Sequence, residues 1–345
     1  MTIVEATRAV TGGVDTHLDV HVAAALDPIG GVLGVESFPT TPKGYRSLVS
    51  WLGSFGTIAK VGVEGTGAYG AGLARFLRKA GIDVIEVDRP NRQARRQQGK
   101  SDPIDAVEAA RAALSGRARG SAKSRDGRVE AIRTLLVAKR SSRDARIRAL
   151  NQIRHLSFTG PDDLRARLKG LSSDTLAAEA ARLRPRRGEP VAFATRVSLA
   201  TLGRRVLALN EETARLDELL GEFVADVAPG LLEVYGVGVD TAAVLLATAG
   251  DNPERLRSEA AFAHLCGVSP IPASSGKTGR HRLHRGGDRH ANRALWRIVM
   301  TRMAFDPRTR EYVERRTKEG LSKREVIRIL KRYVAREIYR QLPRG

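Results

Sequence analysis

Between Gly13 and Ala24 the apolar residues Val14, Leu18, Val20 and Val22 share one parity, while Asp15, His17, Asp19 and His21 share the other. A period of two is the signature of a β-strand. Pro28-Ile29-Gly30-Gly31 is turn chemistry, and Val32 to Phe38 returns as the second arm of a hairpin. A third strand belongs to the same region. Thr41-Pro42 opens a helix that runs through Trp51 and Leu52, with a hydroxyl cap and an early proline. Lys60 to Glu64 is a short strand that runs into Gly65-Thr66-Gly67. Tyr69 to Ala80 reads as a helix, Ile82 to Val87 as a strand, and another helix starts at Pro103. A β-meander followed by α, β, α, β, α leaves a layered α/β sheet as the architecture of the first third.

The last of these helices opens on Lys100-Ser101-Asp102-Pro103-Ile104-Asp105. Proline is favoured in a first turn, and a preceding Ser or Asp can cap the free amides. Asp102 is the expected N-cap and Asp105 the third helical residue, and their spacing of three puts both on one face. Acids suit a helix N-terminus for structural reasons alone, because the dipole stabilises them. Two further acids stand in strands: Asp15 inside the first and Glu64 at the end of the next buried one. With these acids, the element order matches the ribonuclease-H-like fold. In that fold Asp15 and Glu64 would lie on adjacent central strands, with Asp102 and Asp105 on a helix reaching back across them. Four such carboxylates would hold two divalent ions about 3.5–4 Å apart, one activating an oxygen and the other stabilising the leaving oxygen. Oxygen-only ligands favour Mg²⁺ or Mn²⁺ over zinc. Gly65-Thr66-Gly67 is not a P-loop, because the chain has no GxxxxGK[ST] pattern. His17 and His21 read as solvent- or substrate-facing strand residues, and Asp19 is the acid most readily confused with a ligand.

The chain has 345 residues, enough for two or three units, and 42% of them are hydrophobic, enough for real cores. Its net charge of +21 favours a polyanionic partner, and nucleic acid is the commonest. A membrane is the weaker reading, since no apolar run is long enough to span a bilayer. Met1 to Val10 lacks a signal-peptide core, and the single cysteine, Cys266, excludes an internal disulfide and a Cys-based zinc site. An intracellular, nucleic-acid-binding protein is expected.

Arg92, Arg95, Arg96 and Lys100 directly precede the Asp102/Asp105 pair, where a charge run can steer phosphates as well as face solvent. Ser115 to Gly127 reads as an exposed connection. An arginine-rich helix is expected from Val129 to Leu156. A second shows Leu202, Val206, Leu209, Thr213, Leu216, Leu220, Phe223 and Val227 alternating by four and three, a heptad seam. That seam serves an internal antiparallel hairpin or an intermolecular coiled coil equally well. The interval from Gly160 to Pro190 is expected to be irregular or built of shorter helices.

In the last third, Leu231 to Ala249 reads as helix, Gly236-Val237-Gly238 turn, helix. This is similar to a helix-hairpin-helix that can present amides to a phosphate, though a plain helical turn reads as well. The stretch Gly267-Val268-Ser269-Pro270-Ile271-Pro272-Ala273-Ser274-Ser275-Gly276-Lys277 then leads into Arg280, Arg282, Arg285 and Arg289. Helices are expected from Asn292 to Met303 and from Ser322 to Gln341.

Taken together, these motifs resemble the IS110 family, insertion-sequence transposases of the DEDD type, over nearly the whole length. Asp15, Glu64, Asp102 and Asp105 fall on the D-E-D-D pattern of its RuvC-like domain. The region from the GVG turn through the Ser-Gly stretch is similar to its second transposase domain. Three regions follow: a RuvC-like catalytic domain over 10–120, a helical or coiled-coil region over 121–228, and a mainly α C-terminal domain over 229–345. The resemblance implies cutting and rejoining of donor and target DNA by phosphoryl transfer. Ser275 would be the nucleophile, with Ser274 as its rival, and the acids and Mg²⁺ (or Mn²⁺) would assist. Lys277, Arg280, Arg282, Arg285 and Arg289 would contact the nucleic acid. It also implies an element-encoded guide RNA, a homo-oligomer (dimer or tetramer), and a place on the bacterial nucleoid in the cytoplasm. If the acids and Ser275 serve one reaction, the first and last regions must meet, within one chain or across an oligomer. The rival readings are a metal nuclease of the junction-resolving kind, with Ser275 a plain loop residue, and a non-catalytic basic nucleic-acid-binding protein.

Overall fold

The computed structural model describes residues 8–87, 101–118, 120–121, 123, 125–185, 187–252, 256–273, 281–282 and 284–343. The chain divides into two compact units. The first comprises Met1–Gly127 with Gly250–Arg257 and Arg344–Gly345; the second comprises Arg128–Ala249 with Ser258–Pro343.

The first unit contains β1 (Ala9–Thr16), β2 (Val20–Leu26), β3 (Val32–Pro39), α1 (Pro42–Ser54) and β4 (Thr57–Glu64). It continues with α2 (Ala71–Lys79), β5 (Val84–Val87), α3 (Asp102–Leu114) and β6 (Gly120–Ser121). The strands form one sheet in the order β3-β2-β1-β4-β5-β6. The hairpin pairs β1–β2 and β2–β3 are antiparallel, while β1–β4 and β4–β5 are parallel, each parallel step bridged by helix. Thr41 caps α1 by accepting from the Gly44 amide, and Pro42 starts the helix. Tyr45, Leu48 and Leu52 of α1 and Leu73 and Leu77 of α2 bury the sheet face that carries Val14, Ala23, Val61 and Val63. α3 covers the other face, where Ala106 meets Val22 and Ala24 and Ala109 meets Val87.

The alternation from Gly13 to Ala24 is not one strand. It is broken at residues 17–19, where the chain turns and returns as β2. The break is invisible in the pattern because the turn residues continue the alternation. Leu18, apolar in the sequence, lies 65% exposed at the turn. The consequence is a change of face. Asp15 faces α3, whereas His21, expected to face solvent or substrate, is fully buried on the opposite side of the sheet and stacks on Tyr45. A second correction concerns the start of α3. Ser101, with extended backbone, is the N-cap, and Asp102 is the first helical residue rather than the cap.

In the second unit, α4 (Arg128–Thr159) and α7 (Pro190–Val227) are the long helices, with α5 (Asp162–Leu168) and α6 (Ser173–Ala181) between them. They run antiparallel, as successive cross-links show: Arg128 to Asp226, Lys139 to Asp217, Ser142 to Glu212 and Arg146 to Asn210. Along the heptad positions Val206 and Leu220 are buried, while Leu209, Thr213 and Leu216 are half-buried. The full apolar core lies at the other end, where Leu150 and Ile153 of α4 and Leu199 of α7 enclose Leu164, Leu168 and Leu176. The unit continues through α8 (Gly230–Glu233), α9 (Val239–Ala249), α10 (Glu259–Leu265), the short pair β7 (Ile271–Pro272) and β8 (His281–Arg282), and α11 (Arg289–Phe305). It closes with α12 (Pro307–Lys318) and α13 (Lys323–Gln341). Among the described residues no helix is long and apolar enough to cross a membrane.

Candidate functional site

The site begins with glycine. Gly13 on β1 and Gly62 on β4 are paired in register on adjacent parallel strands, and both present their missing side chain to α3. A Cβ at Gly13 would lie 2.2 Å from the Ala110 amide nitrogen, and one at Gly62 would lie 2.6 Å from the Ala109 carbonyl oxygen. With Ala106, Ala109, Ala110 and Ala113 on the helix side, nothing larger than a methyl stands between α3 and the strands at these two glycines. The helix therefore lies directly on β1 and β4, antiparallel to β1. Its N-terminal turn arrives where those two strands end. Val14 pairs with Val63, so Asp15 and Glu64 are the next residues on the two neighbouring strands. Thr16 then ties the strand ends together by donating its hydroxyl to the Glu64 carbonyl oxygen at 2.9 Å.

Four acids are thus brought to one end of one sheet: Asp15 from β1, Glu64 from β4, and Asp102 and Asp105 from the first turn of α3. Asp105 is buried at 3% exposure, Asp15 at 7%, and Asp102 is half exposed. The carboxyl of Asp15 titrates above the ordinary carboxylate range. Burial is the main cause, and the nearby charges of Asp105 and Asp102 add to it while His17 opposes it. His17 Nε2 lies 3.1 Å from Asp15 Oδ2 and 3.4 Å from Asp102 Oδ1, so one ring nitrogen bridges a strand acid and a helix acid. Asp15, His17 and Asp102 each place a ligand atom within 4.8 Å of the others, a donor set of two oxygens and one nitrogen suited to a divalent ion. The sequence alone makes His17 a solvent- or substrate-facing strand residue. It is half exposed and follows β1 directly, in the turn, where it completes this cluster; its place two residues beyond Asp15 is the only local signal of it. Asp19 is exposed in the turn and takes no part.

Of the basic residues expected to meet nucleic acid, Arg282 on β8, Arg285 and Arg289 at the start of α11 are exposed. Arg92, Arg95, Arg96 and Lys100 lie outside the described residues, as do Ser274, Ser275, Lys277 and Arg280. The Gly236-Val237-Gly238 turn uses part of its own capacity internally. Gly236 has a φ of 81°, Val237 N–H donates to the Val234 carbonyl, and Gly238 N–H donates to the Thr241 hydroxyl at 3.1 Å. Two further polar side chains are buried in the second unit, apart from the acids. One is Lys331, buried on α13, which falls on the apolar stripe Ile327-Lys331-Val334-Ile338 of an amphipathic helix. The other is Cys266, a free thiol whose burial pushes its pKa up.

Comparison with known proteins assigns this arrangement to a class. Residues 12–158, which include all four acids, match the family model of DEDD transposases of the IS110 type. Residues 228–314 match that of transposases of the IS116/IS110/IS902 family. A protein of Streptomyces coelicolor, described as an uncharacterized 43.6 kDa protein of insertion element IS110, is 33% identical over 123 residues. That alignment covers 34% of this chain and 30% of the relative's length. The chain belongs to the IS110 family of transposases.

Proposed function

We propose that this chain is the DNA transposase of an insertion sequence, an enzyme that cuts and rejoins donor and target DNA by phosphoryl transfer. The meeting of Asp15 and Asp102 at the sheet end, inside the segment that matches the transposase family, is the observation that carries the reading. The first unit is read as a ribonuclease-H-like, RuvC-like domain, whose strand order and acid placement suit it. Asp15, Glu64, Asp102 and Asp105 would hold Mg²⁺ or Mn²⁺, with His17 as a further donor. When bound, the ion supplies positive charge that stabilises the negative charge developing on phosphate oxygens.

The nucleophile we assign is Ser275, with Ser274 as its rival. Its hydroxyl oxygen forms a bond to a DNA phosphorus, the existing bond from that phosphorus to one strand's oxygen breaks, and the departing oxygen takes a proton. Attack by a strand hydroxyl on the phosphoserine then rejoins DNA and restores the serine. A serine hydroxyl needs a base, a metal or a cationic field to attack at neutral pH, and Lys277, Arg280 and Arg282 would supply the field. The partners in this reading are donor and target DNA, a non-coding guide RNA and further copies of the chain, at work on the bacterial nucleoid. The +21 charge is what such polyanions require.

The test is a suicide DNA substrate nicked near the cleavage site, incubated with Mg²⁺ and run on a denaturing gel. Wild type and Ser274→Ala trap a protein–DNA adduct, and Ser275→Ala does not. An adduct that survives in Ser275→Ala but vanishes in Ser274→Ala moves the nucleophile by one residue. Hydrolysis without an adduct in any variant makes the protein a metal nuclease.

A further inference from the structure

The second unit contains a cavity of about 680 Å³ between residues 267–270, β8 and α13. It lies outside the acid cluster, and its lining is strongly cationic. Arg282, Arg328, Lys331 and Arg332 face it together with His284, against a single acid, Glu325. That acid is already engaged in the helix cap, where it accepts from the Ser322 amide and hydroxyl. Arg332 is paired with Glu259. Arg282 and Arg328 have no carboxylate partner among the described residues.

Lys331 is the informative member. It is 6% exposed, and its Nζ donates to Asn292 Oδ1 at 2.9 Å, a neutral acceptor. Asn292 is locked in turn by donating Nδ2 to the Cys266 and Gly267 carbonyls at 3.1 and 2.9 Å. Burial lowers the Lys331 pKa, and the neighbouring charge of Arg328 lowers it further. A buried ammonium beside a second cation and no carboxylate is costly in the free protein, and the cost is recovered when an anion enters.

The lining also carries an aromatic ring, Tyr333 on the same helix α13. Tyr333 is 43% exposed, and its ring is fixed by an edge contact with Tyr312, centroids 6.1 Å apart at 76°. A held aromatic ring beside a cationic groove is the arrangement that takes an unpaired base, because every base offers a stacking face. The volume lies within the usual range of roughly 300–1,000 Å³ for small-ligand pockets, enough for one nucleotide but not for a duplex.

We propose that this cavity seats one unpaired nucleotide of a bound strand, its phosphate on Arg282, Arg328 and Lys331 and its base against Tyr333. The inference rests on the nucleic-acid reading above and names the unit of strand that this part of the chain recognises. An unpaired DNA base and an unpaired RNA base share the chemistry, so the test carries both.

The experiment uses the full chain and a short single strand carrying one 2-aminopurine, as DNA and as RNA, and the same DNA annealed to its complement. Wild type changes the 2-aminopurine fluorescence of a single strand on binding, and the sugar that binds more tightly identifies the source. Arg328→Ala and Tyr333→Leu, both at exposed positions, each weaken single-strand binding about tenfold and leave duplex affinity within about twofold. Lys331→Met does the same where its thermal melt matches wild type, and Lys331→Arg restores binding. Adenosine monophosphate competes better than inorganic phosphate. Equal losses on strand and duplex, or equal competition by the two anions, would make the cavity a general phosphate patch and overturn the proposal. Single-strand binding unchanged in the variants overturns the pocket alone, whereas a wild-type chain that binds no nucleic acid overturns the transposase reading with it.

Discussion

Gly13 lies so close to Ala110 that any side chain on β1 at that point would occupy the backbone of α3. The first prediction follows from that contact. Gly13→Ala must push the helix off the sheet, at a cost of about 3 kcal/mol, the upper end for overpacking, because the clash is with backbone. Gly53, inside α1 with nothing within 4 Å of its would-be Cβ, is the control. Gly53→Ala should be neutral or stabilise by up to about 1 kcal/mol. Urea denaturation of both variants decides it, and equal midpoints for the two would show that the close approach does not matter.

The acids should behave as one unit. Asp15→Asn, Glu64→Gln, Asp102→Asn and Asp105→Asn each remove charge that would balance bound cations, so each should abolish recombination while nucleic-acid binding persists. Asp15→Asn should also leave the metal-free fold as stable as wild type or more so, since burial and two neighbouring acids already disfavour its charged form. Asp19→Asn, in the exposed turn, should be far milder. Recombination assays paired with thermal melts test the set; activity kept in Asp105→Asn and lost in Asp19→Asn would mean the wrong ligands were named.

His21 predicts a pH dependence of stability. Burial is the main reason its pKa falls from 6.5 to about 4, and nearby His17 adds to the effect. A histidine depressed in the folded state is neutral in both states above pH 6.5 and contributes nothing there. As the pH falls from 6.5 towards 4 the unfolded chain takes up a proton that the folded chain refuses, so stability is lost across that window and levels off below it. The full loss is roughly 3 kcal/mol. Denaturation at pH 7.5 and pH 4.5 should show a larger drop for wild type than for His21→Phe, which keeps the stack on Tyr45. Identical drops would remove His21 as the cause.

Nucleic-acid affinity should be steeply salt-dependent. Each neutralised duplex phosphate contributes roughly −0.9 to the slope of log K against log salt. Replacing exposed Arg285 or Arg289 by Ala should make that slope shallower by about one contact each while weakening all sequences alike. The purified protein should also carry RNA. A flat salt titration in a preparation free of nucleic acid would contradict the role given to these arginines.

Much of this protein is legible in one dimension. The element order of the first unit, the start of α1, the strand and helix positions of the four acids and the excess of positive charge all follow from local rules: a cap, early prolines, hydrophobic period and composition. The Asp102/Asp105 spacing alone places both on one turn, whichever residue is the cap. What the sequence could not determine is which face of the sheet each strand residue takes. Polarity reports whether a side chain prefers water, and it carries no record of a three-residue turn whose members keep the alternation, as His17, Leu18 and Asp19 do. Only the tertiary structure separated Asp15 from His21, set His17 against Asp15 and Asp102, and showed that Gly13 and Gly62 are glycines because a helix lies on them. For the same reason Lys331 reads as one more cation in a basic helix until α11 and the 267–270 segment close over it. Burial is a property of what packs against a residue, and that is decided by chain segments far from it in sequence.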